Sequence, residues 1–554
     1  MRRPGLLLLL AVACAHAPRS NDPQAWIEVR SEHFLVRTDL AEDDARKAAT
    51  DMELVRTALL GAGWHSNREP KERTAVVLVA TQAELHEFAS KTLLGFATSN
   101  VYGEPFLAIS ADQDVLEQEL FKHELTHIIN EGFLVSKPRW VNEGIACYLE
   151  MLEIKRGGSA AVMGKPSLQR LEFLQRRPVH SWSWVFSTGD DVLQATGDQG
   201  YAFETAAWAL VHYFVDNKPE QFDAYLTGLA HGVESSRAFN QAFPNLREEQ
   251  LSEAMASYLK TGKLRIDTLP IKAWSGNIAV ARMAPAEVFA LRADLLRFSP
   301  GSSRNELSQA EVQKALAIDP GNPYALILQQ GSSAAAATAA HPDDWRSWFL
   351  AASRDEKDRA AIDKAASLAP DNASVLSRLT FAELNAGAKE RALAHAAHAV
   401  EISPGRSEAL DALAHAYAAN ARCDDAAVAE QRAIDAIPDA AVNGAPQALL
   451  QRQRELRDHC GAARQPQIAQ RATAEVKLKS CKKPLPRVTA KLDLMINFTL
   501  AEDGSAKGVK VTGQATEAMR SAMQKYVESC SYEPVVVDGK PQAVQTTTRF
   551  KTGK

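Results

Sequence analysis

His123-Glu124-Leu125-Thr126-His127, followed by Trp140-Val141-Asn142-Glu143-Gly144-Ile145-Ala146, decides how this chain is read. On a helix, positions i and i+4 share a face with Cβ atoms about 6 Å apart. Two imidazoles at that spacing reach one Zn²⁺ at about 2.0–2.1 Å. Glu124 points to the side, where it can hold and deprotonate a water. Leu120, Phe121, Leu125, Ile128 and Ile129 give the same helix an apolar side. A catalytic zinc site needs a third protein ligand and an open fourth position. Glu143 follows His127 by 16 residues, which leaves room for a loop ending at Pro138 and a second, antiparallel helix. Glu131 is a rival at i+4 from His127, but two turns past His123 it points away from the ion. Cys147, one turn past Glu143, is another rival and reads better as a small core residue.

Upstream, residues 26–118 alternate strands with a helix. Ile27–Arg30 and Phe34–Arg37 alternate apolar and polar, as half-buried strands do. Residues 41–61 carry a helical pattern, and Thr74 to Ala80 (TAVVLVA) is a continuous run of a central strand. Pro105 to Ser110 reads as one more strand, expected at the sheet edge beside the metal helix. There Phe106, Leu107 and Ala108 would pair with an extended substrate. Residues 201–262 read as a helical bundle with Trp208, Leu210, Val211 and Phe214 on one side. Residues 263–284 read as a linker.

Downstream, Pro370, Pro404 and Pro438 recur every 34 residues, each preceded at five positions by Ala365, Ala399 or Ala433. Small alanines let paired helices approach closely, and proline ends the second helix of each pair. Residues 285–440 thus form a repeat region, interrupted by the alanine-rich stretch 331–340. Residues 441–471 are polar and Gln/Arg-rich, a further linker. Residues 472–554 change character again. Leu492–Leu500 alternates as a strand, Asp503-Gly504 turns, Thr516–Glu528 reads as a helix, and a last strand lies near Gln545–Phe550.

The chain has 554 residues, 46% hydrophobic and 24% charged, with a net charge of −5. Its length predicts several domains. Its charge gives no electrostatic reason to bind nucleic acid or an anionic membrane. Arg2, Arg3 and the apolar run Leu6–Ala13 read as an export leader over residues 1–17, too short to span a bilayer. Ala11-Val12-Ala13-Cys14 has the form of a bacterial lipobox with Cys14 lipidated. Ala15-His16-Ala17 offers a competing cleavage site, weakened by Pro18. The lipobox predicts a periplasmic or outer-membrane lipoprotein of a Gram-negative bacterium, and Ala15 after the cysteine favours the outer membrane. Membrane contact would run through the lipid alone. In that oxidising setting Cys423/Cys460 and Cys481/Cys530 are near enough in sequence to pair, and Cys147 is left over.

The H-E-x-x-H helix with W-x-N-E-G-x-A resembles the gluzincin metallopeptidases, in particular the peptidase MA-like family, over residues 25–262. The resemblance implies a thermolysin-like α/β peptidase domain. It also implies one Zn²⁺ on His123, His127 and Glu143, with Glu124 as the base for attack of a zinc-bound water on a peptide carbonyl. Gluzincins add a Tyr or His that donates to the oxyanion. Tyr201, after the loop Gly197-Asp198-Gln199-Gly200, is favoured here over His212. The 34-residue units resemble tetratricopeptide (TPR) repeats, whose α-helical solenoids hold protein partners. Tyr532-Glu533-Pro534 with Asp538-Gly539-Lys540-Pro541 resembles the TonB C-terminal superfamily, a small α+β domain. Together these imply a multidomain α+β metallopeptidase acting on a peptide or protein substrate. The alternative is a non-catalytic periplasmic scaffold lipoprotein that uses a peptidase-like fold as a binding module.

Overall fold

The computed structural model describes residues 22–551, apart from stretches at 64–71, 188–197 and 298–303, most of 437–477, 484–492 and scattered single positions. The leader and Cys14 therefore lie outside the described residues, as does most of the 441–471 linker. The chain divides into two units, Met1–Arg464 and Gln465–Lys554.

The first unit is organised on a six-stranded sheet. Its strands are β1 (Ile27–Arg30), β2 (Phe34–Thr38), β3 (Thr74–Val79), β4 (Gly95–Ser99), β5 (Pro105–Ser110) and a late one, numbered β9 below. Three short strands intervene as a separate sheet: β6 (Glu153–Ile154), β7 (Ala160–Met163) and β8 (Asp267–Pro270). β9 is Ala279–Arg282, and the order of the large sheet is β4-β5-β3-β2-β1-β9. β2, β3 and β5 run parallel, while β4, β1 and β9 pair antiparallel with their neighbours. Helix α1 (Glu42–Gly63) makes the crossover from β2 to β3. Helix α2 (Gln82–Phe88) follows β3 and starts on a capping box, Thr81 with Glu84, which satisfies two orphan amides at once.

The apolar run in β3 has a simple cause. Both faces of the sheet are covered, so both sets of alternating side chains are apolar. Val76 and Leu78, with Leu107 and Ile109 of β5, pack against α1, α3 (Glu119–Phe133) and α4 (Arg139–Leu149). Val77 and Val79, with Phe106 and Ala108, pack instead against Val288, Leu291, Leu295, Phe349 and Val375 of the helical repeats. The repeats are thus the second cover of the sheet.

Two sequence expectations are corrected here. Residues 263–284 are not a linker: β8 pairs with β7, and β9 pairs with β1 in the large sheet. Four-residue strands carry too little periodicity to stand out in sequence. The strand Phe106–Ala108 is not at the sheet edge. It pairs with β3 on one side and β4 on the other, and its residues are 4%, 0% and 1% exposed. Alternation marks a strand but not its neighbours; the edge is β4.

The repeats are helix pairs: Pro285–Leu296 with Arg304–Ile318, Pro323–Leu328 with Ala335–Ala340, Trp345–Arg354 with Arg359–Leu368, Ala373–Asn385 with Lys389–Ile402, and Ser407–Ala419 with Cys423–Asp435. The alanine-rich stretch expected to interrupt them supplies the second helix of a pair, with Ala337 buried against Leu350. Asn322, Asp344, Asp358 and Asn372 cap helix starts with their side chains. Cys423 and Cys460 form a disulfide.

In the second unit Asp493–Leu500 lies between Ala506–Gln514 and Val544–Lys551, antiparallel to both. Leu494, Ile496, Phe498 and Leu500 turn one face onto Met523 and Val527 of helix Glu517–Val527. Cys481 is disulfide-bonded to Cys530. Among the described residues no helix is long and apolar enough to cross a membrane.

Candidate metal centre

Helix α3 buries Phe121, Leu125, Ile129 and Phe133, an i, i+4 stripe. That stripe leaves His123 and His127 on a partly open face, where both Nε2 atoms converge at 3.1 Å. The chain reverses through Pro138 into α4, whose Trp140, Val141 and Ile145 are buried. Asn130 Nδ2 donates to Asn142 Oδ1 at 2.9 Å and ties the two helices together. Gly144 lets a third helix, Asp198–Asn217, come close. A Cβ there would stand 2.7 Å from the Ala207 carbonyl oxygen and 2.6 Å from Val211 Cγ2.

This packing sets Glu143 Oε2 3.5 Å from His123 Nε2 and 3.6 Å from His127 Nε2. Ligand atoms placed tetrahedrally at 2.0–2.1 Å from one zinc ion stand about 3.3 Å apart. Two neutral imidazole nitrogens and one carboxylate oxygen at 3.1–3.6 Å spacings fit that donor set, so these three residues can hold one divalent ion. Burial opposes the charge of Glu143, but the two imidazoles outweigh it and hold its carboxyl well below the usual range. Burial likewise opposes the charge of His123, while Cys147, Glu143 and Glu150 raise its pKa well above the ordinary value.

Glu150 was not visible as a site residue in the sequence. Its Oε2 lies 2.9 Å from His123 Nδ1, and Arg170 holds its Oε1 through Nη2 at 2.9 Å and Nε at 3.2 Å. Occupying Nδ1 directs Nε2 toward the convergence point. Glu150 stands seven residues, two turns, past Glu143 on the same helical face, and that spacing was the available signal. Cys147 is free and buried, with Sγ 4.0 Å from His123 Nδ1 and its thiol pushed up to about 12 by burial. It stands behind the imidazole, opposite the converging nitrogens.

Glu124 is partly exposed, on the turn between the two histidines. Tyr201 lies over the Arg170 guanidinium at 5.3 Å and edge-on to Phe173, so it joins the group around Glu150. His212 is fully buried, with Nδ1 3.1 Å from the Tyr258 hydroxyl, and belongs to the core. Glu131 faces Lys137 at 3.9 Å and lies close to Gly405 of the repeats, where an added Cβ would stand 2.3 Å from Glu131 Cβ.

No curated protein matches this chain. Among solved structures, the crystal structure of MamA protein is similar over 29% of this chain and 95% of that one, at 17% identity and a TM-score of 0.21. The human IFIT1 dimer with m7Gppp-AAAA is similar over 46% of this chain and 66% of that one, at 13% identity and a TM-score of 0.24. Residues 121–233, which hold the converging histidines and Glu143, match the family described as "Protein of unknown function (DUF1570)".

Proposed function

We propose that this chain is an exported zinc peptidase that hydrolyses peptide bonds. The convergence of His123 Nε2, His127 Nε2 and Glu143 Oε2 at 3.1–3.6 Å carries the reading. Zn²⁺ held there would supply Lewis acidity to a substrate carbonyl and make water a nucleophile near neutral pH. Glu124 takes a proton on its carboxylate and returns it to the departing amine. Tyr201 is the candidate donor to the developing oxyanion, oriented by Arg170 beneath its ring. Among the described residues no strand pairs with the outer edge of β4, which would offer backbone N–H and C=O groups to an extended substrate. Gly95 brings that edge against the metal helix: a Cβ there would stand 2.6 Å from Leu120 Cδ2. The leader pattern and lipobox support export to the periplasm or outer membrane.

The test is cleavage of a diverse peptide mixture by the zinc-loaded full chain, read by mass spectrometry. Glu124→Ala is expected to lose about 10²–10⁴-fold in rate while still binding one zinc per chain. His127→Ala is expected to lose the zinc. A wild-type chain that binds zinc and cuts nothing would favour a binding module; equal cleavage by wild type and Glu124→Ala would remove the mechanism.

A further inference from the structure

The turn between β4 and β5, Asn100–Glu104, reaches away from its sheet into the helical repeats. Asn100 Oδ1 accepts from the Tyr102 and Glu104 amides at 2.9 and 3.0 Å, and Gly103 takes a left-handed φ of 79° that closes the turn. The tip is then gripped residue by residue. Asp294 Oδ2 accepts from the Val101 amide at 2.9 Å. The Tyr102 ring sits 5.5, 5.3 and 5.9 Å from those of Tyr324, Trp345 and Phe349. Ser374 Oγ donates to the Tyr102 carbonyl at 2.5 Å, and Asn372 Nδ2 donates to Glu104 Oε1 at 2.9 Å. Tyr102 is 4% exposed.

Each of these partners lies on, or caps, the first helix of its pair, and the pairs are successive: Pro285–Leu296, Pro323–Leu328, Trp345–Arg354 and Ala373–Asn385. In stacked helix-pair repeats the binding surface is a continuous face shared by successive units. Here such a face reads a short segment through its backbone and one aromatic anchor, which is how a peptide site works. The segment belongs to the same chain.

We propose that the first-helix face of the repeats is occupied in cis by the Asn100–Glu104 turn, and that this grip sets the position of β4, the free edge beside the metal helix. Tyr102 is a positioning residue, acting on the edge through the hairpin. Its effect on a substrate rests on the peptidase reading; the grip itself does not.

The test is amide hydrogen exchange on the full chain, following Gly95–Ser99 against β1 and β2 as internal references. Tyr102→Ala is expected to speed exchange in β4 by about 10-fold or more with the references unchanged. Ser374→Ala, a milder change that keeps the ring contacts, is expected to speed it several-fold. Tyr102→Phe should match wild type, because the Tyr102 hydroxyl has no hydrogen-bond partner among the described residues. A fluorescent peptide of sequence Ser-Asn-Val-Tyr-Gly-Glu-Pro should bind Tyr102→Ala and not wild type. Unchanged β4 protection in Ser374→Ala and in any folded Tyr102→Ala would overturn the proposal. So would equal peptide binding by wild type and variant, since it would mean a vacant face that serves partners in trans. Absence of peptidase activity would sink the functional reading and leave this measurement intact.

Discussion

His123 is held from behind by Glu150, and Glu150 is held by Arg170. Loss of such a support typically costs 10–100-fold in metal affinity. Glu150→Gln is expected to weaken zinc binding by that factor in a chelator competition, with His123, His127 and Glu143 all still present. The protonation of the site makes a second prediction. Without metal, the acidic surroundings of His123 outweigh its burial and favour imidazolium. A bound cation needs neutral imidazoles, so binding releases protons. Zinc affinity should therefore rise with pH through neutrality, and calorimetry in buffers of different ionisation enthalpy should count the protons released. The convergence of His123, His127 and Glu143 was legible because two share an i, i+4 face and the third follows in the stretch Trp140–Ala146. Arg170 was not legible, because its tie to Glu150 joins separate helices with no local spacing to mark it.

Helices α4 and Asp198–Asn217 meet at Gly144, where a methyl would run into the Ala207 carbonyl at 2.7 Å. Gly144→Ala is expected to cost about 1–3 kcal/mol by overpacking, seen as a lower Tm. In the last helix pair, Glu430 and Asp411 face each other at 2% and 1% exposure, with Arg452 Nε 2.7 Å from Asp411. Burial first, and then Asp411, push the Glu430 carboxyl up to about 8. In the unfolded chain it ionises near the ordinary value, about 4.3. Between those values the unfolded state holds fewer protons than the folded one, so stability falls as pH rises. Glu430→Gln should remove that slope, and its gain in Tm over wild type should grow from pH 5 to pH 8. At this scale the elements differ in how legible they are in the sequence. The 34-residue period exposed the later pairs, because it repeats. β8 and β9 were missed, because four residues of alternation cannot be told from a linker. The alternation of β5 marks a strand but not its interior place in the sheet, because pairing partners are set by tertiary packing.

The first unit is built around a six-stranded sheet with two coverings. The apolar run Ala75–Ala80 marked a central strand; what it could not announce was that one covering comes from the repeats, hundreds of residues away. A fragment ending at residue 262 would lose β9 and the repeats, and so expose Val77, Val79, Phe106 and Ala108 together. Such a patch invites association. That fragment is expected to be insoluble or to bind hydrophobic dyes, while the chain through Arg464 should be soluble and melt in one cooperative transition. The shared sheet also bears on how such a chain can change over time. Shuffling of gene segments works where a border runs through solvent, and here the border runs through a core. The half that carries the converging histidines cannot be traded onto another array of repeats without rebuilding the underside of its own sheet, so the two halves are bound to diverge as one heritable piece.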